Sequence, residues 1–473
     1  MRPLLTPDEM RRGDESAISS GTPASVLMER AGRAVAREAI RLAGGRYGRR
    51  ALVLCGKGKN GGDGLVAARV LEAEGLSVEV VRLFEGDEVR STGGFDVVVD
   101  AIFGTGFKGE PEGPARDVIE RLQGHPGVVA ADIPSGVDGA TGAVAGVAVE
   151  AAVTVAMGAE KLGTALSPGA AHAGRVVVAD IGIPIPPVTV RMIEDDDVRG
   201  TLPRRAPDAH KRSAGSVAVL AGSEETRGAA LLTCRGAGRM GAGYVTLGST
   251  RSVTAAATVA APELLTRAAG EGNVLGPEAL DRLGPALDRA GALAIGPGIG
   301  VGDAQSALCE RALREVGAPI VLDADALNVL AETPGALVAR SSPAVLTPHP
   351  AELARLLGVD TPEVTGDRLG GARRAAERFG CIVVAKGHRT IVTDGSTSLV
   401  VPTGGPDLAT AGTGDVLTGA VAALLAAGLD PFDAAWCAAY VHGVAGEMAG
   451  RGALAWDVAE ALGKARSRFT LTS

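Results

Sequence analysis

Aromatic side chains are scarce in this chain of 473 residues, where Phe, Trp and Tyr together make up 3% of the sequence. Aliphatic residues must therefore fill most of any core, and a total hydrophobic content of 46% is sufficient for that role. The length exceeds what one typical hydrophobic core supports. We therefore expect two or three domains.

The chain also lacks an excess of positive charge. It contains 47 Lys and Arg residues against 55 Asp and Glu residues, which gives a formal net charge of −8. A general nucleic-acid-binding protein needs a basic surface to neutralise phosphates. The composition therefore argues against that class of protein.

Cysteine pairs with CxxC spacing are absent, which argues against disulfides or a metal site. Most of the cysteines lie in apolar or Ala-rich segments, so we expect buried free thiols. They are Cys55, Cys234, Cys309, Cys381 and Cys437. The longest apolar run, residues 416–428, is too short for a membrane span, and charged residues interrupt the N-terminal segment. A soluble, cytoplasmic protein is the simplest expectation.

Short runs rich in Val and Ile alternate with segments of helical periodicity throughout the chain. In the first half the predicted strands are residues 51–55, 77–83, 95–102, 127–133, 153–157 and 175–181. Several are apolar throughout, which is typical of strands covered on both faces. With helical patterns over 6–43, 64–74 and 115–122, the alternation predicts an α/β domain with a parallel sheet between helices.

A change of composition over residues 183–209 predicts the domain boundary. This segment contains several prolines, Pro203 and Pro207 among them, an acidic run at 194–197 and the basic pair Arg204–Arg205. A second α/β pattern follows, with strands predicted at 216–221, 243–247, 292–295, 320–322, 344–346, 381–385, 390–393 and 398–401. We place the two domains at residues 1–200 and 201–473.

Three loops of the first domain follow predicted strands, at the edge where open parallel sheets bind ligands. The loop 56–64 (GKGKNGGDG) is neither GxGxxG nor a Walker motif, and it suits either a phosphate or a tight turn capped by Asn60 and Asp63. The loops 100–110 and 132–136 bring Asp100, Asp132 and Ser135 to the same edge. Asp132 alone could also be a capping carboxylate.

Asn60, Asp100 and Ser135 offer only oxygen donors. Such a set suits an alkali or alkaline-earth ion and disfavours zinc. The sequence therefore predicts a cation site at this sheet edge.

The most informative run of the second half is Gly412-Thr413-Gly414-Asp415, which opens an apolar helical segment. A helix N-terminus presents unpaired N–H groups to phosphate, and glycines let the backbone come close. Asp415 is therefore either a capping residue or the acceptor of a proton from a hydroxyl under attack. The first reading is structural and the second is catalytic.

Four further loops of the second half also follow predicted strands, namely 296–300 (GPGIG), 322–328 (LDADALN), 347–352 (TPHPAE) and 386–390 (KGHRT). Each has a structural reading, as a turn, a pair of caps, an exposed imidazole or a solvated strand end. Their coincidence at strand-to-helix turns favours a phosphoryl-transfer site. His442 and Glu447, five residues apart, do not share a helix face and are interpreted as structural.

The runs KNGGDG, DAIFGTGFKGE and DIPSG resemble those of the NAD(P)H-hydrate epimerases. The second half resembles the ADP/ATP-dependent NAD(P)H-hydrate dehydratases, which are ribokinase-like. Together they resemble the bifunctional NAD(P)H-hydrate repair family over almost the whole chain. The resemblance implies an N-terminal Rossmann-like three-layer domain and a C-terminal ribokinase-like α/β domain.

For the epimerase half, the resemblance implies that the hydrates of NADH and NADPH contact Lys59, Asn60, Gly61, Gly62, Asp63, Gly104, Thr105, Gly106, Phe107, Lys108, Gly109, Glu110 and Asp132. It assigns K⁺ to Asn60, Asp100 and Ser135, and acid/base chemistry at the hydrated ring carbon to Asp132. Lys59 departs from the family, which usually has an asparagine there. This lysine would weaken K⁺ binding or pair with a substrate phosphate.

For the dehydratase half, the resemblance implies that the hydrate contacts Ala229, Gly300, His349 and Asp415. The nucleotide would contact Lys386, Gly387, His388, Arg389, Thr390 and Gly414, with Asp325 and Asn328 as supports. Asp415 would accept the hydroxyl proton, and the phosphorylated hydroxyl would then leave as phosphate. ADP as co-substrate, Mg²⁺ and a closed homo-oligomer are expected from the family.

Two alternatives belong to other functional classes. A ribokinase-type kinase acting on a small alcohol would share the GTGD run, although the epimerase-like half argues against it. A nucleotide-sensing protein without turnover would have no need of Asp132 and Asp415.

Overall fold

The computed structural model describes residues 1–87, 89, 91–204 and 214–470. It divides into two compact units, Arg2–Arg191 and Met192–Ser473, the second of which includes Met1. The predicted boundary after residue 200 falls in the helix Asp195–Thr201, and Arg205 and Pro207 lie outside the described residues. Within the described part of the chain, no helix is long and apolar enough to cross a membrane.

The first unit alternates strands and helices along most of its length. Its strands are β1 (Arg2–Leu5), β2 (Arg50–Cys55), β3 (Ser77–Arg82), β4 (Val97–Ala101), β5 (Val128–Ala131), β6 (Val153–Met157), β7 (Glu160–Lys161) and β8 (Arg175–Ala179). Its helices are α1 (Pro7–Ser19), α2 (Ala24–Leu42), α3 (Lys59–Ala73), α4 (Gly113–Leu122), α5 (Leu162–Ala165) and α6 (Gly169–His172). The strand β9 (Val190–Met192) spans the division between the units.

A parallel sheet in the order β3-β2-β4-β5-β6-β8 forms the centre of the first unit. β4 and β5 are buried along their whole lengths, as the predicted apolar runs require. Separate hydrophobic clusters fill the space around the sheet, the larger one including α2 and α3 and the smaller one α4. β1 pairs in parallel with the short β7.

The helical pattern predicted over residues 6–43 is two helices. Thr6 begins α1 with a capping box, in which the Glu9 amide donates to its hydroxyl and the Glu9 carboxylate accepts from its amide. The chain then breaks before α2 at Pro23, which cannot donate a helical hydrogen bond. The break lets α1 and α2 line the same cavity, described below.

The second unit is a larger α/β structure. Its strands are β10 (Ser216–Leu220), β11 (Tyr244–Ser249), β12 (Leu265–Ala268), β13 (Ala292–Ile295), β14 (Ile320–Leu322), β15 (Ala344–Leu346), β16 (Ile382–Ala385), β17 (Ile391–Thr393) and β18 (Ser398–Val400). Its helices are α7 (Asp195–Thr201), α8 (Arg227–Met240), α9 (Arg251–Ala260), α10 (Glu278–Leu283), α11 (Pro285–Asp288), α12 (Asp303–Glu315), α13 (Asp325–Glu332), α14 (Gly335–Val338), α15 (Pro350–Leu357), α16 (Thr361–Gly366), α17 (Arg368–Phe379), α18 (Thr413–Ala426), α19 (Pro431–Ala449) and α20 (Ala455–Thr470).

The strands of the second unit follow the order β12-β11-β10-β13-β14-β15-β16-β17-β18. The pairs are parallel from β12 to β16, and β17 and β18 pair antiparallel at the end of this order. A core of mainly Ala, Val and Leu packs α8, α18, α19 and α20 against the sheet. The predicted α/β class and parallel sheets are confirmed for both units.

Candidate active sites

The first unit contains a cavity of about 970 Å³ at the carboxyl edge of its sheet. Loops after β2 and β4 form one side, the end of β5 contributes Asp132, and α1 and α2 form the other side. Eight predicted substrate residues line it: Lys59, Asn60, Asp63, Gly104, Thr105, Gly106, Phe107 and Asp132. The predicted loops therefore converge on one cavity.

The other five predicted substrate residues do not line this cavity. A Cβ at Gly61 would collide with the Gly56 carbonyl oxygen, and one at Gly62 would collide with Met28, so close packing explains both glycines. Lys108 and Gly109 are exposed, and Glu110 pairs with Arg116.

The three residues predicted to hold a cation come together beside this cavity. The Ser135 hydroxyl donates to Asp100 Oδ1 over 2.6 Å and accepts from the Phe103 amide over 2.9 Å. Asn60 Nδ2 donates to the Phe103 carbonyl oxygen over 2.8 Å. The Asn60 Oδ1 atom is buried without a hydrogen-bond partner, and a cation would satisfy it. Burial raises the pKa of Asp100 to about 6, so a nearby cation would also stabilise its charge.

Asp132 occupies a strained position at the end of β5. Its φ of 67° is in the left-handed region that residues other than glycine seldom adopt. Its Oδ1 accepts from the Met157 amide over 2.9 Å and from Lys161 Nζ. The Lys161 side chain is 0% exposed, whereas that of Asp132 is 15% exposed and lines the cavity. The pair therefore presents a carboxylate, anchored from behind, to the substrate space.

Three more carboxyl groups line the same cavity, Asp8 and Asp14 of α1 and Asp63 of α3. Burial, Asp132 and Asp14 raise the pKa of Asp63 to about 8. Burial also raises the pKa of Asp14, opposed by Lys59, whose Nζ lies 3.5 Å from its Oδ2. Asp14 and Lys161 were not predicted from the sequence, because neither stands in a glycine-rich run.

The candidate site of the second unit is at the start of α18. Gly412 immediately precedes the helix and has a φ of 91°. A residue with an L side chain would be strained in this backbone conformation. Gly236 of α8 and Gly419 of α18 let the two helices approach closely, since a Cβ at either would collide with the other helix's backbone. This packing fixes where the amides of Gly414 and Asp415 lie.

A buried ion pair lies beside that helix start. Lys386 Nζ donates to Asp323 Oδ1 over 2.7 Å and lies 3.8 Å from Glu352 Oε2. Asp323 Oδ2 accepts from the Thr418 hydroxyl over 2.6 Å. A Cβ at Gly414 would be 3.2 Å from Lys386 Nζ, so glycine lets the lysine approach the helix start closely. The Lys386 side chain is 19% exposed and that of Asp323 is 1% exposed, so the ammonium faces the site.

The net charge of this site depends on whether the Asp415 carboxyl group is protonated. Burial, followed by the charge of Asp323, raises the pKa of Asp415 to about 7. Burial lowers the pKa of Lys386, but Asp323 and Glu352 oppose this, and the net pKa is raised. The site therefore combines a fixed ammonium with a carboxyl group that gains and loses a proton near neutral pH, as a general base requires.

A pocket of about 250 Å³ adjoins Gly414. Five of the six predicted nucleotide residues line it: Lys386, Gly387, His388, Thr390 and Gly414. Arg389 does not. The pocket is closed by residues that sequence reasoning missed or set aside, including Thr403, Gly443 and His442. His442 is buried and bonds to the Thr413 carbonyl oxygen over 2.9 Å, and burial lowers its pKa to about 4.

The remaining predicted residues of this half have local roles in the structure. His349 caps α15, because its Nδ1 accepts from the Ala351 amide over 3.1 Å. Asp325 Oδ2 accepts from the Gly300 amide over 2.9 Å, which joins two predicted loops. Asn328 accepts from Arg355, and Ala229 lies in the first turn of α8.

Comparison with known proteins places these two sites in one family. A family model described as NAD(P)H-hydrate dehydratase matches residues 217–465, and one described as YjeF-related protein N-terminus matches residues 24–93 and 84–163. The bifunctional NAD(P)H-hydrate repair enzyme Nnr of Moorella thermoacetica is 39% identical, over 95% of this chain and 92% of that protein. The chain belongs to the family of bifunctional NAD(P)H-hydrate repair enzymes.

Two further similarities agree with this membership. The enzyme of the same name from Thermofilum pendens is 37% identical, over 92% of this chain and 89% of that protein. An ADP/ATP-dependent NAD(P)H-hydrate dehydratase from Bacillus subtilis, co-crystallised with ATP and Mg²⁺, covers 60% of this chain and 100% of its own, at 30% identity and a TM-score of 0.51. The ribokinase-like fold predicted for the second half is therefore confirmed.

Proposed function

We propose that the N-terminal domain, predicted as residues 1–200, interconverts the R and S hydrates of NADH and NADPH. We further propose that the C-terminal domain, residues 201–473, dehydrates the S hydrate with ADP and releases AMP and phosphate. Repair of hydrated nicotinamide cofactors is the function of the family. The observation that carries the proposal is the position of the Lys386 ammonium against Gly414, next to Asp415, at the Gly-rich start of α18.

In the dehydration, Lys386 and the first amides of α18 bind the transferring phosphoryl group. Asp415 accepts the proton of the substrate hydroxyl, and the phosphorylated hydroxyl then leaves as phosphate. Mg²⁺ typically binds phosphate oxygens with one or two carboxylates, and Glu352, whose Oε2 faces Lys386, would hold it. The ion neutralises charge on the phosphates.

In the epimerisation, the cavity of the first unit binds the dinucleotide hydrate, and Asp132 is the acid/base group at the hydrated ring carbon. Asn60, Asp100 and Ser135 would hold K⁺, which the unpartnered Asn60 Oδ1 supports. A bound ion would link the loops that follow β2, β4 and β5. Replacing K⁺ by Na⁺ should lower epimerisation several-fold and leave dehydration of the S hydrate unchanged.

Recovery of the near-ultraviolet absorbance of NADH from an R/S hydrate mixture tests both activities in the full chain. With ADP, Mg²⁺ and K⁺, the wild-type protein should recover all of the mixture. Asp132→Asn should stop once the S fraction is consumed, and Asp415→Asn should recover nothing. An equal mixture of the two variants should again give full recovery, because each supplies the site that the other lacks.

Three results would contradict the proposal. Failure of the wild-type protein with both ADP and ATP would favour the small-molecule kinase. Full recovery by Asp132→Asn would remove Asp132 from the reaction. Failure of the mixed variants would show that the two sites do not work independently.

We also propose that the protein forms a closed homo-oligomer. A monomer mass measured by light scattering would contradict this proposal.

A further inference from the structure

Asp63 is the residue of the first cavity whose environment the mechanism above does not explain. It is the fifth residue of α3 and lines the cavity together with Asp132 and Asp14. Among the described residues, none forms a hydrogen bond or an ion pair with its carboxyl group. Asp132, in contrast, is held by Lys161 and the Met157 amide. These two carboxyl groups of the cavity therefore differ in the hydrogen bonds and ion pairs that hold them.

The two groups differ in the charges that surround them. Lys161 is fully buried and donates to both the Asp132 carboxylate and the Met157 carbonyl oxygen, so Asp132 has a cationic partner. Asp63 faces two acidic neighbours, Asp132 and Asp14, while both lysines of the cluster are engaged by other carboxylates. Its raised pKa, about 8, leaves it protonated at neutral pH. Carboxyl pairs with separated pKa values are typical of acid and base partners.

The chemistry of the hydrate needs such a pair. Hydration of the enamine double bond of a dihydronicotinamide leaves a hydroxyl on the carbon bonded to the ring nitrogen. That carbon can invert if the hydroxyl leaves as water, because the nitrogen lone pair forms a C=N⁺ bond and flattens the centre. Departure as water requires a proton, and addition of water to the other face requires a base.

We propose that Asp63 is a second catalytic residue of the epimerisation, donating the proton with which the ring hydroxyl leaves as water. This proposal rests on the epimerase function proposed above. The C–O bond breaks, its electron pair leaves with the oxygen, and Asp63 becomes ionised. Asp132 then takes a proton from the water that adds to the opposite face. Exchange of one proton between Asp132 and Asp63 through solvent restores the starting state. Lys161 is a positioning residue that acts through Asp132.

The test uses the full chain without added nucleotide, so that dehydration cannot remove the substrate. Pure S hydrate of NADH is incubated in ¹⁸O-enriched water, and the R hydrate is followed by chromatography and mass spectrometry. Wild-type protein should introduce one solvent oxygen per inversion. Asp63→Asn should lower the rate roughly 100-fold or more, the range for loss of a general acid. Asp117→Asn, an exposed carboxylate on α4 of the same unit, should have no effect.

The pH dependence separates an acid role from a purely structural one. Wild-type kcat/KM should fall above pH about 8 as Asp63 loses its proton. The groups facing Asp63 are Asp132, Asp14, Lys161 and Lys59. Asp14→Asn removes a negative neighbour, lowers the pKa of Asp63 and moves the fall to lower pH. Lys161→Met removes the ion pair that holds the Asp132 carboxylate, so kcat should fall, and Lys161→Arg should restore part of it.

The outcomes distinguish this proposal from the function on which it rests. If wild-type protein produces no R hydrate, the epimerase function itself fails. If wild-type protein inverts the substrate but Asp63→Asn does so within threefold and keeps the fall at high pH, Asp63 is not the acid. Retention of the original oxygen would overturn the C–O cleavage. Dehydration of the S hydrate with ADP should be unaltered in every variant.

Discussion

Both units contain an ion pair between a lysine and a carboxylate at the end of a parallel strand, but the buried member differs. In the first unit Lys161 is buried and Asp132 faces the cavity, whereas in the second Asp323 is buried and Lys386 faces the site. A presented carboxylate suits proton exchange with an uncharged ring, and a presented ammonium binds phosphate. The same ion pair therefore supports different chemistry according to which end is exposed.

The backbone around the two pairs differs in a corresponding way. Asp132 itself has the positive φ, so its own strained backbone directs the carboxylate towards the cavity. In the second unit Asp323 is followed by Ala324, with a φ of 51°, and the strain falls on the residue after the carboxylate. The Asp323 carboxylate accepts hydrogen bonds from Lys386 and Thr418.

The largest expected effect comes from removing the ammonium group of Lys386, which faces the site of the second unit. Lys386→Met should lower kcat/KM for dehydration by about 100- to 1,000-fold, because phosphoryl charge would lose its fixed cation. Steady-state kinetics with varied ADP measures this. Lys464→Met, an exposed lysine of α20, is the matched control. If Lys386→Met changed kcat/KM by less than threefold, exposure of the ammonium group would not determine the chemistry of this ion pair.

The same pair predicts a separable effect on stability. Lys386→Met leaves Asp323 buried without its partner and should lower the free energy of unfolding of this unit by about 3 kcal/mol. The double change Asp323→Leu with Lys386→Met should regain most of that loss but no activity. Denaturant unfolding followed by tryptophan fluorescence reports on this unit, since Trp436 and Trp456 both lie in it. Equal instability of the single and double variants would contradict the prediction.

The two activities should depend on pH in different ways, one limited at low pH and the other at high pH. Dehydration needs ionised Asp415, so its kcat/KM should rise about tenfold per unit below pH about 7 and then level off. Epimerisation needs protonated Asp63 and should decline above pH about 8. Separate assays on one preparation, with and without ADP, give both profiles. Parallel profiles would mean that one of the two carboxyl assignments is wrong.

The smallest expected effect concerns Lys59, the position at which the resemblance predicts an asparagine. The Lys59 side chain is 76% exposed and pairs with Asp14 across 3.5 Å, and exposed pairs of this kind contribute little energy. Lys59→Asn should change KM for the hydrate by about twofold to fivefold. If Lys59 binds a substrate phosphate, KM for the NADPH hydrate should rise more than KM for the NADH hydrate. A lower K⁺ requirement would instead indicate an effect on the cation site.

Sequence patterns predicted the fold well because buried parallel strands are apolar throughout. The strands at 153–157, 292–295, 320–322 and 344–346 are confirmed with their bounds. The short β1, β7 and β12 were not predicted, because each contains a charged residue and none is an apolar run. Strands of that length form through pairing with partners distant in sequence.

The candidate sites were predictable only in part. Glycine-rich loops indicated Asn60, Asp132 and Asp415, because tight turns at strand ends leave a local signature. Lys161 and Asp14 carry no such signature, since an ordinary lysine and a helical aspartate acquire their roles from tertiary contacts alone. Gly61, in contrast, shares the motif with Asn60 but packs against the Gly56 carbonyl oxygen, which leaves no room for a side chain. The substrate and nucleotide contacts themselves stay predictions.

The reactivity of the buried cysteines would report where the chain unfolds. All five are buried, and burial raises the pKa of Cys55 to about 11 and of Cys309 and Cys381 to about 12. Alkylating reagents should therefore modify these thiols only when the surrounding structure unfolds. Cys55 belongs to the first unit and the other four to the second. The order in which peptides become labelled on warming would show which half of the enzyme fails first.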